Sequence, residues 1–191
     1  MTKFLRVRVP FRKKFFSPTL FNVFFMILGF GVTLEAKIAP NMIQNALLSK
    51  TNAYRDNGLF VGGDSGTEGV VVREIRHGRP KEYEALVIEL WQNLSGELTP
   101  LNLPPYFHVA LIPEEQKIQI AIWGHPTLQY NAKETLRQLK KSTLIEDIDL
   151  LPKVENELWT FSLRLKKAVW AEVFELSNPA RITLHLKAKG K

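Results

Sequence analysis

Trp159-Thr160-Phe161-Ser162-Leu163-Arg164-Leu165 alternates apolar and polar side chains without a break. Successive side chains of an extended chain point to opposite faces, so such a run buries one face and wets the other. This run is the most regular of a series of strand-like runs in the C-terminal third, at residues 144–151, 158–165, 169–176 and 181–186. Pro152, Asn156, Lys166-Lys167 and Asn178-Pro179 punctuate these runs as turn signals. Many short strands with turns between them predict a mostly β fold, a sandwich or curled sheet of about seven to eight strands. No internal repeat of fixed period is present.

Upstream, residues 106–112 and 117–123 flank the polar turn Pro113-Glu114-Glu115-Gln116 and predict a hairpin, with Ile118, Ile120 and Ile122 on one face. One short helix follows. Asn131 is placed to accept the free amides of its first turn, Glu134 to reach back to the cap, and Leu136 and Leu139 to share a face. The helix is expected to end near Lys141-Ser142. Residues 70–75 are β-branched and lead into the turn signal His77-Gly78-Arg79-Pro80. Residues 83–91 fit two periods. Tyr83, Leu86, Val87, Leu90 and Trp91 have helical spacing, while Leu86, Ile88 and Leu90 occupy one face of a strand.

A length of 191 residues suits one such domain with appendages. The net charge of +7 belongs mostly to a leader. Lys3, Arg6, Arg8, Arg12, Lys13 and Lys14 crowd the start, and Glu35 is the only acid before Lys37. Beyond residue 36 the net charge is +2, which gives no support to a nucleic-acid partner needing a basic stripe. The basic start precedes the apolar run 20–34 and then the small residue Ala36, the order of a secretory signal. Residues 1–36 are therefore expected to be a signal peptide or, uncleaved, an N-terminal membrane anchor. The apolar run is shorter than the roughly 20 residues a spanning helix needs, which favours cleavage. Either outcome places the rest outside the cytoplasm, in the periplasm or an equivalent compartment.

Residues 37–69 are expected to be a flexible linker, with one possible helical face at Met42, Ile43, Ala46 and Leu47. Gly58, Gly62, Gly63, Gly66 and Gly69 crowd its end. The stretch Gly62-Gly63-Asp64-Ser65-Gly66 lacks the Lys-Ser/Thr of a phosphate-binding loop, and a tether is the plainer reading. The folded domain is expected over residues 70–191.

Catalytic patterns are missing. His77, His108, His125 and His185 show no metal-ligand spacing, and the absence of Cys removes thiolate sites and cysteine nucleophiles. They read as core, turn or surface histidines. No Gly-x-Ser-x-Gly elbow places a serine nucleophile. Glu82, Glu84 and Glu89, or Glu114 with Glu115, could be imagined as an acid and base pair, but nothing sets their separation, and solvated charges are the simpler reading. No catalytic residue, metal or cofactor is expected. The aromatic residues carry more. Trp91, Trp123, Trp159 and Trp170, with Tyr83 and Tyr106, have the chemistry of a sugar-stacking surface. Trp159 and Trp123 fit the core better. Trp170 shares a strand face with Glu172 and Phe174. Arg79 and Arg181 have the fork geometry to hold carboxylates.

Val173-Phe174-Glu175-Leu176-Ser177-Asn178-Pro179-Ala180-Arg181-Ile182-Thr183-Leu184-His185-Leu186 resembles the end of AMIN and AMIN-like domains, where a strand, an Asn/Asp-Pro turn, an Arg and a final alternating strand follow in order. Arg76-His77-Gly78-Arg79-Pro80 and residues 83–90 resemble that family's opening strands, which selects strand for 83–91. Leu158-Trp159-Thr160-Phe161 suits its penultimate hairpin. The resemblance spans most of residues 70–187 and is specific only over the final fourteen. The family's last strand commonly carries Asp where this chain has His185, so a role resting on that carboxylate does not transfer. What the resemblance implies is a non-catalytic β-domain of the bacterial cell envelope that binds peptidoglycan or an envelope protein. The candidate ligand-binding residues are His77, Arg79, Tyr83, Trp170, Asn178, Arg181 and His185. The alternative expectation is a periplasmic carrier holding a small ligand in a cavity between apolar sheets.

Overall fold

The computed structural model describes residues 53–155 and 157–190. The expected leader, the anchor alternative and the helical face at 42–47 lie outside the described residues. Among the described residues eleven strands and one α-helix follow in the order β1 (Gly58–Gly62), β2 (Val70–Gly78), β3 (Glu84–Leu94), β4 (Glu97–Pro100), β5 (Phe107–Ile112), β6 (Lys117–Trp123), β7 (Thr127–Leu128), α1 (Ala132–Leu139), β8 (Ile145–Glu155), β9 (Leu158–Leu165), β10 (Val169–Leu176) and β11 (Ala180–Ala188). They form two sheets of a mostly β sandwich. One sheet has the order β1-β5-β6-β9-β8, and the other β10-β11-β3-β2-β7 with β4 added beside β3.

The inward rows are those that alternation marks out. Phe107, Val109, Ile118, Ile120, Ile122, Trp159, Phe161 and Leu163 from the first sheet face Val72, Ile75, Leu86, Ile88, Leu90, Ile182, Leu184 and Leu186 from the second, in one continuous core. Apolar burial of this kind contributes roughly 25 cal/mol per Å², the dominant favourable term for such a domain. The strand reading of 83–91 holds from Glu84 onward, where β3 pairs antiparallel with β2 on one side and β11 on the other. The hairpin around Pro113 forms as expected, its turn a single 3₁₀ turn at Pro113–Glu115.

Several boundaries differ from the expectation. The strand count exceeds seven to eight because β1, β4 and β7 are too short or too glycine-rich to show alternation. The tether reading fails over residues 58–69. β1 pairs along its whole length with β5, and Leu59 and Val61 are buried. The chain then stays bonded to its neighbours: Asp64 N donates to Pro104 O at 2.9 Å, Tyr106 N to Asp64 O at 2.8 Å, and Asn93 N to Gly69 O at 2.8 Å. Gly62, Gly63 and Gly69 serve close approach. A Cβ on Gly63, whose φ is +82°, would lie 1.9 Å from Pro105 O. β2 runs on through His77 and Gly78, so the turn falls later than the sequence signal. Pro152, expected to end a strand, falls in a register shift of β8 between Asp149 and Lys153. A bulge on an edge strand is where a sheet tolerates proline.

The helix begins as expected, with Glu134 N donating to Asn131 Oδ1 at 3.1 Å. Glu134 does not complete the capping box. Its carboxylate takes hydrogen bonds from Arg137 at 2.6 and 2.7 Å and from Gln138 at 2.9 Å. The buried face is Thr135 and Leu139, while Leu136 is exposed. Thr135 Oγ1 donates to Ile75 O at 3.0 Å and so ties the helix to β2.

Gly63 and Gly96 separate the tether reading from the folded one. Both have positive φ, but a Cβ on Gly96 meets nothing. Gly96→Ala is expected to cost about 1–2 kcal/mol from the backbone alone. Gly63→Ala is expected to cost clearly more, because the 104–105 backbone must move. Urea unfolding of the two variants checks this; a Gly63→Ala variant as stable as the parent would return residues 58–69 to a tether.

Candidate functional site

Two groups of sequence-selected residues come together, on opposite faces of the same sheet. On the inward face the core row Ile88–Leu86 of β3 continues into Glu84, which is 4% exposed. A carboxylate at the end of an apolar row must be fully bonded or it would unfold its surroundings. It is. His77 Nε2 lies 2.9 Å from Glu84 Oε2, Thr143 N and Oγ1 donate to Oε1 at 2.7 and 2.6 Å, Ser142 Oγ donates to Oε2, and Arg79 Nε lies 3.6 Å from Oε1. Ser142 Oγ also accepts from Leu144 N at 3.1 Å and Ile145 N at 2.7 Å, so the carboxylate anchors the loop joining α1 to β8. Arg79 Nη1 and Lys166 Nζ cap carbonyls of the same loop, Lys141 O at 2.8 Å and Ser142 O at 2.7 Å.

Burial alone would raise the Glu84 pKa, and the hydrogen bonds from Ser142, Thr143 and His77 outweigh it, holding the carboxyl down at about 2. It is an anion throughout the physiological range. This arrangement resembles a Ser-His-acid triad only in its residue types. The serine hydroxyl bonds the carboxylate and not the imidazole, so the hydroxyl–imidazole contact that defines such a triad is not made. His77, expected to touch ligand, has a side chain only 2% exposed and is spent on Glu84.

On the outward face, β11 presents Arg181, Thr183, His185 and Lys187, the residues between its core row. The His185 ring packs on Tyr83, with centroids 4.1 Å apart, and on Phe174 at 4.6 Å. Burial lowers the His185 pKa, partly offset by the nearby Glu172 carboxylate, while Lys187 lowers it further. Trp170 stands exposed on the neighbouring edge strand, with Lys189 Nζ 5.1 Å from its ring centroid. Arg181 is half-buried and its Nε donates to Pro179 O at 3.3 Å, which leaves the terminal guanidinium nitrogens uncommitted in that contact. Asn178 is exposed at φ +55°, a conformation Asn tolerates better than most residues, and precedes a cis Pro179. Tyr83, Phe174, His185, Trp170 and Arg181 thus share one open surface. Arg79 belongs to the Glu84 end, and Asn178 shapes the turn.

Of the tryptophans, Trp159 is fully buried and stacks on Phe161 at 4.5 Å, as expected. Trp123 is half-buried on the outward face of the first sheet, against Tyr106 and His108. His108 is buried, bonded through Nε2 to Tyr106 OH at 2.8 Å, and its pKa is lowered by burial to about 4.

Sequence reasoning missed a groove of about 910 Å³ between α1 and the β8 edge. Its floor is Leu128, Tyr130, Ala132, Leu136, Ile148 and Leu150, and its rim carries Glu115, Lys117, Asp147, Asp149 and Arg164. These residues come from five elements and two connecting segments, and no local pattern joins them. Among the described residues no group of three His, Asp or Glu could hold a metal ion, and no helix is long and apolar enough to cross a membrane. Comparison of the chain with protein-family models, with curated proteins and with solved structures returns no match.

Both displaced groups make the fold acid-sensitive. The unfolded chain takes up a proton at each site at a higher pH than the folded chain does, so lowering the pH favours unfolding. The contribution of neutral His108 is present above about pH 6.5 and is lost as the pH falls toward about 4. That of Glu84 is present above about 4.5 and is lost toward about 2. Glu84→Gln is expected to remove on the order of 3 kcal/mol at neutral pH and to flatten the stability curve below about pH 4.5. Urea unfolding from about pH 7 to about pH 3 measures it, and an unchanged acid slope in the variant would contradict the assignment.

Proposed function

We propose that the chain is an exported, non-catalytic cell-envelope protein whose AMIN-like β-domain binds peptidoglycan. The observation that carries this reading is the outward face of β10, β11 and β3, where an exposed indole, His185, Phe174 and Arg181 lie on rigid strands and Tyr83, just before β3, packs on His185. An indole or phenol ring covers the apolar face of a pyranose while leaving its hydroxyls to solvent, and a guanidinium fits a peptide carboxylate. Rigid strands hold such groups with little entropic cost on binding. The basic and apolar leader supports export to the compartment where this polymer lies. The resemblance of residues 173–186 to AMIN-like domains points the same way. His185 stands where that family commonly carries a carboxylate, so ring packing takes the place of a charge on this face.

The groove beside α1 favours a second reading, a carrier for a small apolar ligand with a polar end, since its floor is apolar and its rim charged. Native mass spectrometry of gently purified protein separates the two, because a carrier retains a bound small molecule.

Co-sedimentation of the full chain with purified sacculi tests the leading proposal. The parent is expected to be enriched in the pellet over a denatured control. Trp170→Ala and Arg181→Gln are each expected to weaken binding roughly tenfold, the equivalent of about 1.4 kcal/mol, with little change in stability. Equal recovery of folded and denatured protein would remove peptidoglycan binding from the account.

A further inference from the structure

Basic side chains converge at one end of the sandwich with too few acids to balance them. Within residues 53–190 the acidic and basic residues balance to within one charge. They are not evenly spread. The loop between β2 and β3, the loop before β8, the turn between β9 and β10 and the end of β11 bring Arg79, Lys81, Lys167 and Lys187 to the wall of one cleft of about 180 Å³. Lys140, Lys141 and Lys166 belong to the same loops.

The carboxylates there neutralise this charge only in part. Glu84 lines the cleft and pairs with one cation, its Oε1 lying 3.6 Å from Arg79 Nε, while its other contacts are to His77, Ser142 and Thr143. Arg79 and Lys166 spend hydrogen bonds on backbone carbonyls, which cancel no charge. Lys187 Nζ lies 4.3 Å from the Tyr54 ring centroid, another neutral partner. Lys81 and Lys167 have no acidic partner among the described residues. With Arg79 paired to Glu84, Glu82 is the remaining carboxylate on the wall against three cations, Lys81, Lys167 and Lys187. Like charges gathered around a concave polar surface focus a positive potential into it, an arrangement that repels itself until an anion enters.

We infer that this cleft is a binding site for a compact dianion, a phosphate monoester or a dicarboxylate. The volume is about that of six water molecules at roughly 30 Å³ each, enough for one phosphate group or a short diacid but not for a polymer chain. Arg79 is already held in place through Nη1 by Lys141 O and through Nε by Glu84 and offers its remaining guanidinium N–H groups, while Lys81, Lys167 and Lys187 close on the ligand as point charges. The site does not depend on peptidoglycan binding. It lies beside Tyr83 at the edge of the outward face, so a ligand bound there would sit next to whatever that face holds.

Titration of the isotope-labelled full chain with inorganic phosphate and, separately, with glutarate tests the inference by amide chemical shifts. Saturable shifts at residues 79–83, 167 and 187 are expected with at least one probe. A response to phosphate alone assigns a phosphate ligand, one to glutarate alone a diacid, and one to both the shared dianion chemistry. Lys167→Gln and Lys81→Gln are each expected to weaken binding several-fold, and the double variant at least about tenfold. Both lysines are exposed, so thermal unfolding should be unchanged. Lys133→Gln, on the exposed side of α1, removes one charge elsewhere and should leave binding as it is. No saturable shift with either probe, or equal weakening by Lys133→Gln, would overturn the site.

Discussion

β11 lies between β10 and β3, and its register fixes what each face of the second sheet can be. Ile182 sits opposite Ile88 and Leu184 opposite Leu86 on β3, while Val173 faces Leu184 and Ala171 faces Leu186 on β10. With a side-chain period of two, a slip by one residue would drive Arg181, His185 and Lys187 into the core and expose Ile182, Leu184 and Leu186. The penalty is several buried apolar side chains at roughly 1.5–3 kcal/mol each, together with buried charges. One choice of register therefore builds both the core and the proposed binding face.

The inward row has an end, and the chain closes it with a charge instead of another leucine. Glu84 occupies the position after Leu86 and gathers donors from β2 and from the loop that follows α1. Because the hydrogen bonds outweigh the desolvation penalty, the carboxylate stays ionised and the loop is fixed to the sheet. That loop carries Lys140 and Lys141 and positions Arg79. The buried anion thus organises the basic end whose excess of cations faces outward. On the opposite sheet His108 makes the contrary choice: it is buried neutral against Tyr106 and Trp123.

Regular strands were legible in the sequence wherever one face is buried and the other wet. β9, β10, β11 and the β5–β6 hairpin obey that rule, and Asn131 marks the helix start through a local hydrogen bond. What could not be read depends on distant partners. β1 has a glycine at each end and owes its conformation to β5, some fifty residues on; β7 is two residues paired in parallel with β2. Thr135 replaces Leu136 on the buried face of α1 because Ile75 offers it a carbonyl, which no helical period encodes. The site divides the same way. Trp170, Tyr83, His185 and Arg181 follow from strand parity, whereas His77 disappears beneath Glu84, a residue whose partners lie about sixty positions away. The cleft lysines come from two turns and the end of β11, so their convergence belongs to the fold and not to any motif.

Binding without chemistry is the reading these features favour: strands hold the aromatic and cationic groups in place, and the residue types of a triad are committed to structure. Hydrogen–deuterium exchange of the full chain with and without soluble disaccharide-peptide fragments of peptidoglycan tests it most directly. The account predicts slowed exchange in peptides covering β10, β11 and the start of β3, where Trp170, Arg181, His185 and Tyr83 lie. Protection confined to residues 128–136 and 147–150, along the groove beside α1, or no protection anywhere, would contradict it.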